Sequence, residues 1–249
     1  MNVLAIGDLV GDRAVTYLEE NLWAVRRARN VDFVVANAEN AAEIRGLNAA
    51  QATRLFAAGV DAVTLGNHTY GQRDLYPVLE ADRRVVRPAN FPPQAPGMGH
   101  TVLSVGGYRV LLMNVCGRVF MEAYADPFAA VENILRREAG NYDLSILDIH
   151  AEATSEKIAL AQFFDGRINI IFGTHTHVAT ADECVLPRGT AYQTDLGMTG
   201  PTDGVLGVSA EAVLEKFRSL MPVRFTTSPG PVRANATLFT GGKPERIVF

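Results

Sequence analysis

Apolar stretches alternate with amphipathic, helix-patterned stretches through the first two-thirds of this 249-residue chain, and that rhythm restricts the fold more than any other feature. The order is an apolar run at 3–6, a helical pattern over about 13–29, a run at 33–36, a helix over about 48–58, a run at 62–65, a helix near 73–81 and a short run near 85–87. Such alternation predicts βαβ units and a parallel inner sheet. Between 101 and 115 two strand-like runs meet at Gly106-Gly107, a dipeptide suited to a tight hairpin, so some antiparallel sheet is expected. A helix over about 127–138, a strand at 144–149, a helix near 155–164 and the apolar run 168–172 restore the parallel rhythm. Beyond Val178 turns are denser, with short strands near 184–186 and 191–194, a helix near 210–220 and strands near 232–239 and 246–248. Two facing sheets with helices outside accommodate this pattern, in one domain spanning 1–249.

Composition narrows the functions open to such a fold. The chain has no run of 18 apolar residues and no repeat, so no membrane span or membrane partner is expected. Met1-Asn2 passes directly into an apolar run, which is too short a start for a secretory signal and leaves a cytoplasmic location as the default. Cys116 and Cys184 are too few for a disulfide framework and are expected as reduced thiols in the core. The net charge of −4, with dispersed basic residues, argues against a long nucleic acid as partner. Small phosphorylated substrates remain open.

The five histidines point to where chemistry would lie. Four of them, His68, His150, His175 and His177, stand just past an apolar run, and only His100 does not. In a parallel sheet the carboxyl ends of the strands share one edge, so residues distant in sequence converge there. Collected along that edge are Asp8, Glu39 with Asn40, Asn67 with His68, His150, and the pair within Gly173-Thr174-His175-Thr176-His177. Singly, each has an ordinary reading: Asp8 as a helix cap, Gly66-Asn67 as a turn, His150 as a satisfied or surface histidine. From this set two carboxylates, carboxamide oxygens and three of the imidazoles are enough to hold two divalent ions.

The order and spacing resemble the calcineurin-like metallophosphoesterases, whose motifs are matched here by Asp8, Glu39, Gly66-Asn67-His68, His150 and Gly173-x-His175-x-His177. Val10 stands where the first motif normally carries histidine, and Glu39 replaces the usual bridging aspartate. The pair Glu39-Asn40 within Ala36-Asn37-Ala38-Glu39-Asn40, the opening Ile6-Gly7-Asp8-Leu9-Val10-Gly11, Val115-Cys116-Gly117-Arg118 and the segment from Thr194 to Pro201 resemble the YmdB-like branch. That resemblance implies a four-layer α/β/β/α sandwich of the metallo-dependent phosphatase type with mixed sheets. It further implies Asp8, Glu39, Asn40 and His177 on one metal and Glu39, Asn67, His150 and His175 on a second, with Glu39 bridging. His68 is expected as the catalytic acid that protonates the leaving oxygen. Oxygen and nitrogen donors without thiolate suit iron or manganese.

The implied activity is hydrolysis of small cyclic nucleotides, 2′,3′-cyclic and also 3′,5′-cyclic monophosphates, by metal-activated hydroxide. A nucleotidase or other phosphomonoesterase, and a regulatory metal-binding protein with incidental hydrolysis, are the competing readings. A homo-oligomer stays open. The Thr194 to Gly200 segment can either approach the substrate or serve as a turn-rich loop, Arg118 either meets a phosphate oxygen or lies on the surface, and His100 is expected to be structural or exposed.

Overall fold

The computed structural model describes residues 1–43 and 45–249. Along the first half of the chain run β1 (Asn2–Ile6), β2 (Asp8–Leu9), α1 (Asp12–Ala28), β3 (Phe33–Asn37), α2 (Ala49–Ala57), β4 (Ala62–Thr64), α3 (Tyr76–Ala81), β5 (Val85–Val86), β6 (His100–Val105) and β7 (Tyr108–Cys116). There follow α4 (Pro127–Arg137), β8 (Leu144–His150), α5 (Thr154–Phe164), β9 (Ile170–Thr174), β10 (Cys184–Val185), β11 (Ala191–Gln193), β12 (Met198–Pro201), α6 (Ala210–Ser219), β13 (Val232–Arg233), β14 (Asn235–Thr240) and β15 (Lys243–Val248).

Local chemistry accounts for many of these boundaries. Asn48 and Gln51 form a reciprocal capping box that starts α2, and Asp126 caps α4 ahead of Pro127 in its first turn. Gly106 and Gly107, at φ 55° and 84°, make the turn between β6 and β7. In α1 the buried Ala14, Val15, Leu18 and Leu22 fall on one face, as the helical period requires.

Two six-stranded sheets form the frame, in the orders β15-β14-β1-β3-β4-β5 and β10-β11-β9-β8-β7-β6. Their inner strands are parallel, while β14, β15, β6 and β10 add antiparallel pairs at the margins. Alternate residues of each inner strand face opposite layers. Val3, Ala5, Phe33 and Val35 meet Val110, Leu112, Ile146 and Phe172 between the sheets. The residues between them turn outward: Leu4 and Val34 pack against Leu18, Leu22 and Leu55, and Leu111 and Leu147 against Val131, Leu160 and Phe164. Both faces are buried, which is why these strands read as continuous apolar runs. The result is the expected four-layer α/β/β/α arrangement with mixed sheets. Among the described residues, no helix is long and apolar enough to cross a membrane.

Several expectations are corrected. A third sheet, β13-β12-β2, was not foreseen, because β2 is two residues long and β12 contains both Gly200 and Pro201. The stretch 232–239 is not one strand: it divides at Ala234 so that β13 serves the third sheet and β14 the first. The strand before the histidine pair is shifted to Ile170–Thr174, and the segment near 73–81 opens with a 3₁₀ turn at Arg73–Leu75 before α3. Cys184 is not in the core. It lies exposed on the two-residue margin strand β10, whereas Cys116 is buried in β7, and both are free thiols.

Candidate metal centre

Three parallel strand ends of the first sheet and two of the second open onto one place. Asp8 follows β1, Glu39 and Asn40 follow β3, Asn67 and His68 follow β4, His150 ends β8, and His175 and His177 follow β9. The register that pairs Ile149 with Gly173 and His150 with Thr174 sets the second sheet's contributions side by side.

All eight side chains meet in one connected cluster. On one side, Asp8 Oδ1 lies 4.0 Å from His177 Nε2, Asn40 Nδ2 lies 3.2 Å from the same nitrogen, and Asn40 Nδ2 donates to Glu39 Oε1 at 3.0 Å. On the other, His150 Nε2 is 3.2 Å from Glu39 Oε1, 3.0 Å from Asn67 Oδ1 and 3.0 Å from His175 Nδ1. Glu39 is common to both groups, and Asp8 Oδ1 also lies 3.9 Å from His150 Nδ1. His68 stands at their margin, its Nδ1 2.9 Å from Asn40 Oδ1 and 3.2 Å from Glu39 Oε1, while its main-chain N–H donates to Glu39 Oε2 at 2.8 Å.

Burial leaves these groups little water. Asp8, Glu39 and His150 have no exposed surface. Burial raises the Asp8 carboxyl to about 6 against the pull of His177 and His150. Burial works on Glu39 in the same sense, but the charges and hydrogen bonds of His150 and His68 outweigh it and hold Glu39 well below the usual carboxylate range. For His150, burial favours the neutral ring, yet Glu39 foremost, then Asp8 and Asp148, lift it to about 9. Burial and the neighbouring His150 push His175 down to about 3.

The donor set fits cations. Among the described residues, Asp8 Oδ1 is buried without a hydrogen-bond donor, although its partner Oδ2 accepts from the His175 N–H at 3.0 Å. An unmatched buried carboxylate oxygen is costly unless a positive charge completes it. Ligand atoms of Glu39, His150 and His175 also fall within 4.8 Å of one another.

Unusual backbone geometry holds the arrangement. His175 and His177 both have positive φ, 100° and 65°, which non-glycine residues keep only when their surroundings enforce it. Here Asp8 accepts from His175 N–H, and Asp195 accepts from both the N–H and hydroxyl of Thr176. Gly66 has a different requirement: a β-carbon there would press on the His150 ring and the Glu39 carboxylate.

Several supporting residues escaped the sequence reading. Beneath His150, Thr174 Oγ1 lies 2.9 Å from Nδ1 and donates to Asp148 Oδ1 at 2.8 Å, while Asn37 and Thr64 donate to Asp148 Oδ2. Asp148 stands two residues before His150 in the same buried strand, a carboxylate on the same face, and that was the available signal. Lys157 Nζ reaches Asp195 Oδ2 at 2.6 Å with both side chains fully buried. Its signal was a charged residue inside the apolar face of α5.

The other sites fall elsewhere. Gly11, not Asp8, precedes α1 at its cap. The Thr194 to Gly200 segment backs the cluster through Leu196 N–H to Gly173 O and Asp8 N–H to Gly197 O, before β12 pairs with β2. His100 pairs with Glu138 at 3.1 Å, and Arg118 is exposed while its N–H donates to Glu156.

Comparison with known proteins gives a consistent result. A family described as YmdB-like protein matches residues 4–246. A 2′,3′-cyclic-nucleotide 2′-phosphodiesterase of Bacillus subtilis (strain 168) is 40% identical over 230 residues, covering 92% of this chain and 87% of that protein. The crystal structure of a hypothetical protein from Thermus thermophilus superposes with a TM-score of 0.93 at 42% identity, over 100% of this chain and 99% of the other. That of a novel phosphatase from Mycoplasma pneumoniae also gives 0.93, at 31% identity over 100% and 93%.

Proposed function

The chain belongs to the YmdB-like protein family, and on that premise we propose that the phosphoric diester hydrolase it forms acts on small cyclic nucleotides, 2′,3′-cyclic and also 3′,5′-cyclic monophosphates. Asp8, Asn40 and His177 with Glu39 would hold one divalent ion, and Glu39 with Asn67, His150 and His175 a second, iron or manganese by the hardness of the donors. When bound, such ions lower the pKa of water and offset charge on phosphate oxygens. The observation that carries this reading is the meeting of these donors around the buried Glu39, with the orphaned Asp8 oxygen 3.9 Å from His150 Nδ1 and 4.0 Å from His177 Nε2.

The protein's own residues then have distinct tasks. Thr174 Oγ1 lies beside His150 Nδ1, which orients the ring with Nε2 toward Glu39 and Asn67. Asn40 and Glu39 engage His68 through Nδ1, leaving Nε2 for the substrate. There it gives its proton to the ribose oxygen as the phosphorus–oxygen bond breaks, while a water that has released one proton to solvent joins its oxygen to phosphorus. A cyclic diester thereby becomes a monoester. The same reading keeps the enzyme in the cytoplasm, with both thiols free.

The test is elemental analysis of purified protein followed by turnover of cyclic nucleotides, phosphomonoesters and oligonucleotides. Two ions per chain and preferential cleavage of cyclic diesters are expected. Preferential monoester turnover would replace this reading with a nucleotidase, and absence of bound metal would remove its basis.

A further inference from the structure

A cavity of about 310 Å³ opens beside His177, lined also by Met198, Thr202, Arg233 and Asn235. Its size lies at the lower end for small-ligand sites. Arg26, Arg54, Arg84 and Arg109 each rest on a carboxylate, but Arg233 has no side-chain partner among the described residues. Its backbone is nevertheless fixed. Arg233 pairs with Gly200 and Met198 pairs with Asp8, so one three-stranded sheet carries both the buried carboxylate and the free guanidinium.

Register puts them on the same face. Directly paired residues point to the same side of a sheet, as do residues two apart on one strand, so Asp8, Met198, Gly200 and Arg233 share a side. Two strand spacings and one two-residue step place the Cα atoms of Asp8 and Arg233 about 12 Å apart. An extended arginine side chain covers roughly half that span, and the open space toward the site is the cavity that His177, Met198 and Arg233 line. On this line Met198 carries a side chain and Gly200 none, and a β-carbon at Gly200 would approach Val10 Cβ at 3.0 Å.

We infer that Arg233 anchors the anionic phosphate of the substrate and of its monoester product, with the adjoining cavity receiving part of the nucleoside. The fork of donors on arginine matches paired phosphate oxygens, which a lysine ammonium does not. Asn235 donates through Nδ2 to Met198 O at 2.6 Å, which leaves its Oδ1 to accept from a nucleoside hydroxyl or amine. This inference rests on the proposed phosphodiesterase reading.

The experiment compares the metal-loaded wild type with Arg233→Ala and Arg233→Lys. It measures kcat and KM on a 2′,3′-cyclic nucleotide, metal content, and calorimetric binding of a nucleoside monophosphate and of inorganic phosphate. Arg233→Ala is expected to raise KM and weaken both anions about 10- to 100-fold, the value of a charge-assisted hydrogen bond, with kcat within a few-fold and metal content unchanged. Arg233→Lys should recover only part. Wild-type KM and anion affinities in a folded Arg233→Ala protein would overturn the assignment. If the wild type cleaves no cyclic nucleotide, the diesterase reading fails, while the anion-binding comparison still decides the role of Arg233.

Discussion

Val10 occupies the position where the metallophosphoesterase motif that this chain resembles would carry a histidine, and its surroundings account for a small apolar residue there. It is 1% exposed, and β-carbons at Gly200 or Gly207 would both crowd it, so the space above the strand is already closed by backbone. Val10→His is therefore expected to destabilise the protein by about 1–3 kcal/mol through overpacking, without adding a metal equivalent. Denaturant unfolding together with elemental analysis checks both parts. His68 poses the opposite case, a ring that is 27% exposed at the margin of a buried cluster. His68→Ala should reduce kcat on a poorly activated diester by about 10²- to 10⁴-fold while metal content stays at the wild-type value. Unchanged turnover would reassign the proton transfer. These positions were legible from sequence because each follows an apolar run. Asp148 and Asp195 were not, because their partners come from strands and helices far away in the chain.

Lys157 and Asp195 join α5 to the segment behind the histidine pair. Their ion pair is wholly buried, and the same carboxylate also accepts from Thr176. Removing the cation leaves a charge with nowhere to go. Lys157→Met should cost about 3–5 kcal/mol, seen as a fall of roughly 10 °C in the melting midpoint. It should also loosen metal binding, since Thr176 lies between His175 and His177. A melting temperature within 2 °C of wild type, on the order of the ~1 kcal/mol typical of a surface pair, would show that the pair does not brace the loop. The inner strands and most helices could be located in advance from apolar runs, helical period and caps. The third sheet could not. Strands as short as Asp8–Leu9 carry no period, and Met198–Pro201 reads as turn chemistry until β2 and β13 supply its partners.

Between the two large sheets, Phe33, Phe172 and Phe239 fill much of the common core, with the Phe172 and Phe239 rings 6.5 Å apart. Phe239→Ala should destabilise by about 3–5 kcal/mol in denaturant unfolding, through lost burial and an unfilled cavity. The site lies at one edge of this sandwich and draws its side chains from both sheets, so the proposed cations would tie the sheets together. Exhaustive chelation is expected to lower unfolding stability by about 2.7 kcal/mol for each ion previously present at a hundredfold excess over its Kd. Adding the ion back should restore it. A melting curve indifferent to chelator would indicate that binding and folding are not linked.

Polar residues after apolar runs, together with their order along the chain, were enough to nominate the ligands, the layer arrangement and the family resemblance, because periodicity and strand-end chemistry are local properties. The pairing of Met198 with Asp8, the two-way division at Ala234, the exposure of Cys184 and the buried supports beneath His150 depended on contacts between segments up to more than 180 residues apart. Such contacts leave no period in the sequence; they exist once two sheets have packed and burial has made each unmatched charge expensive.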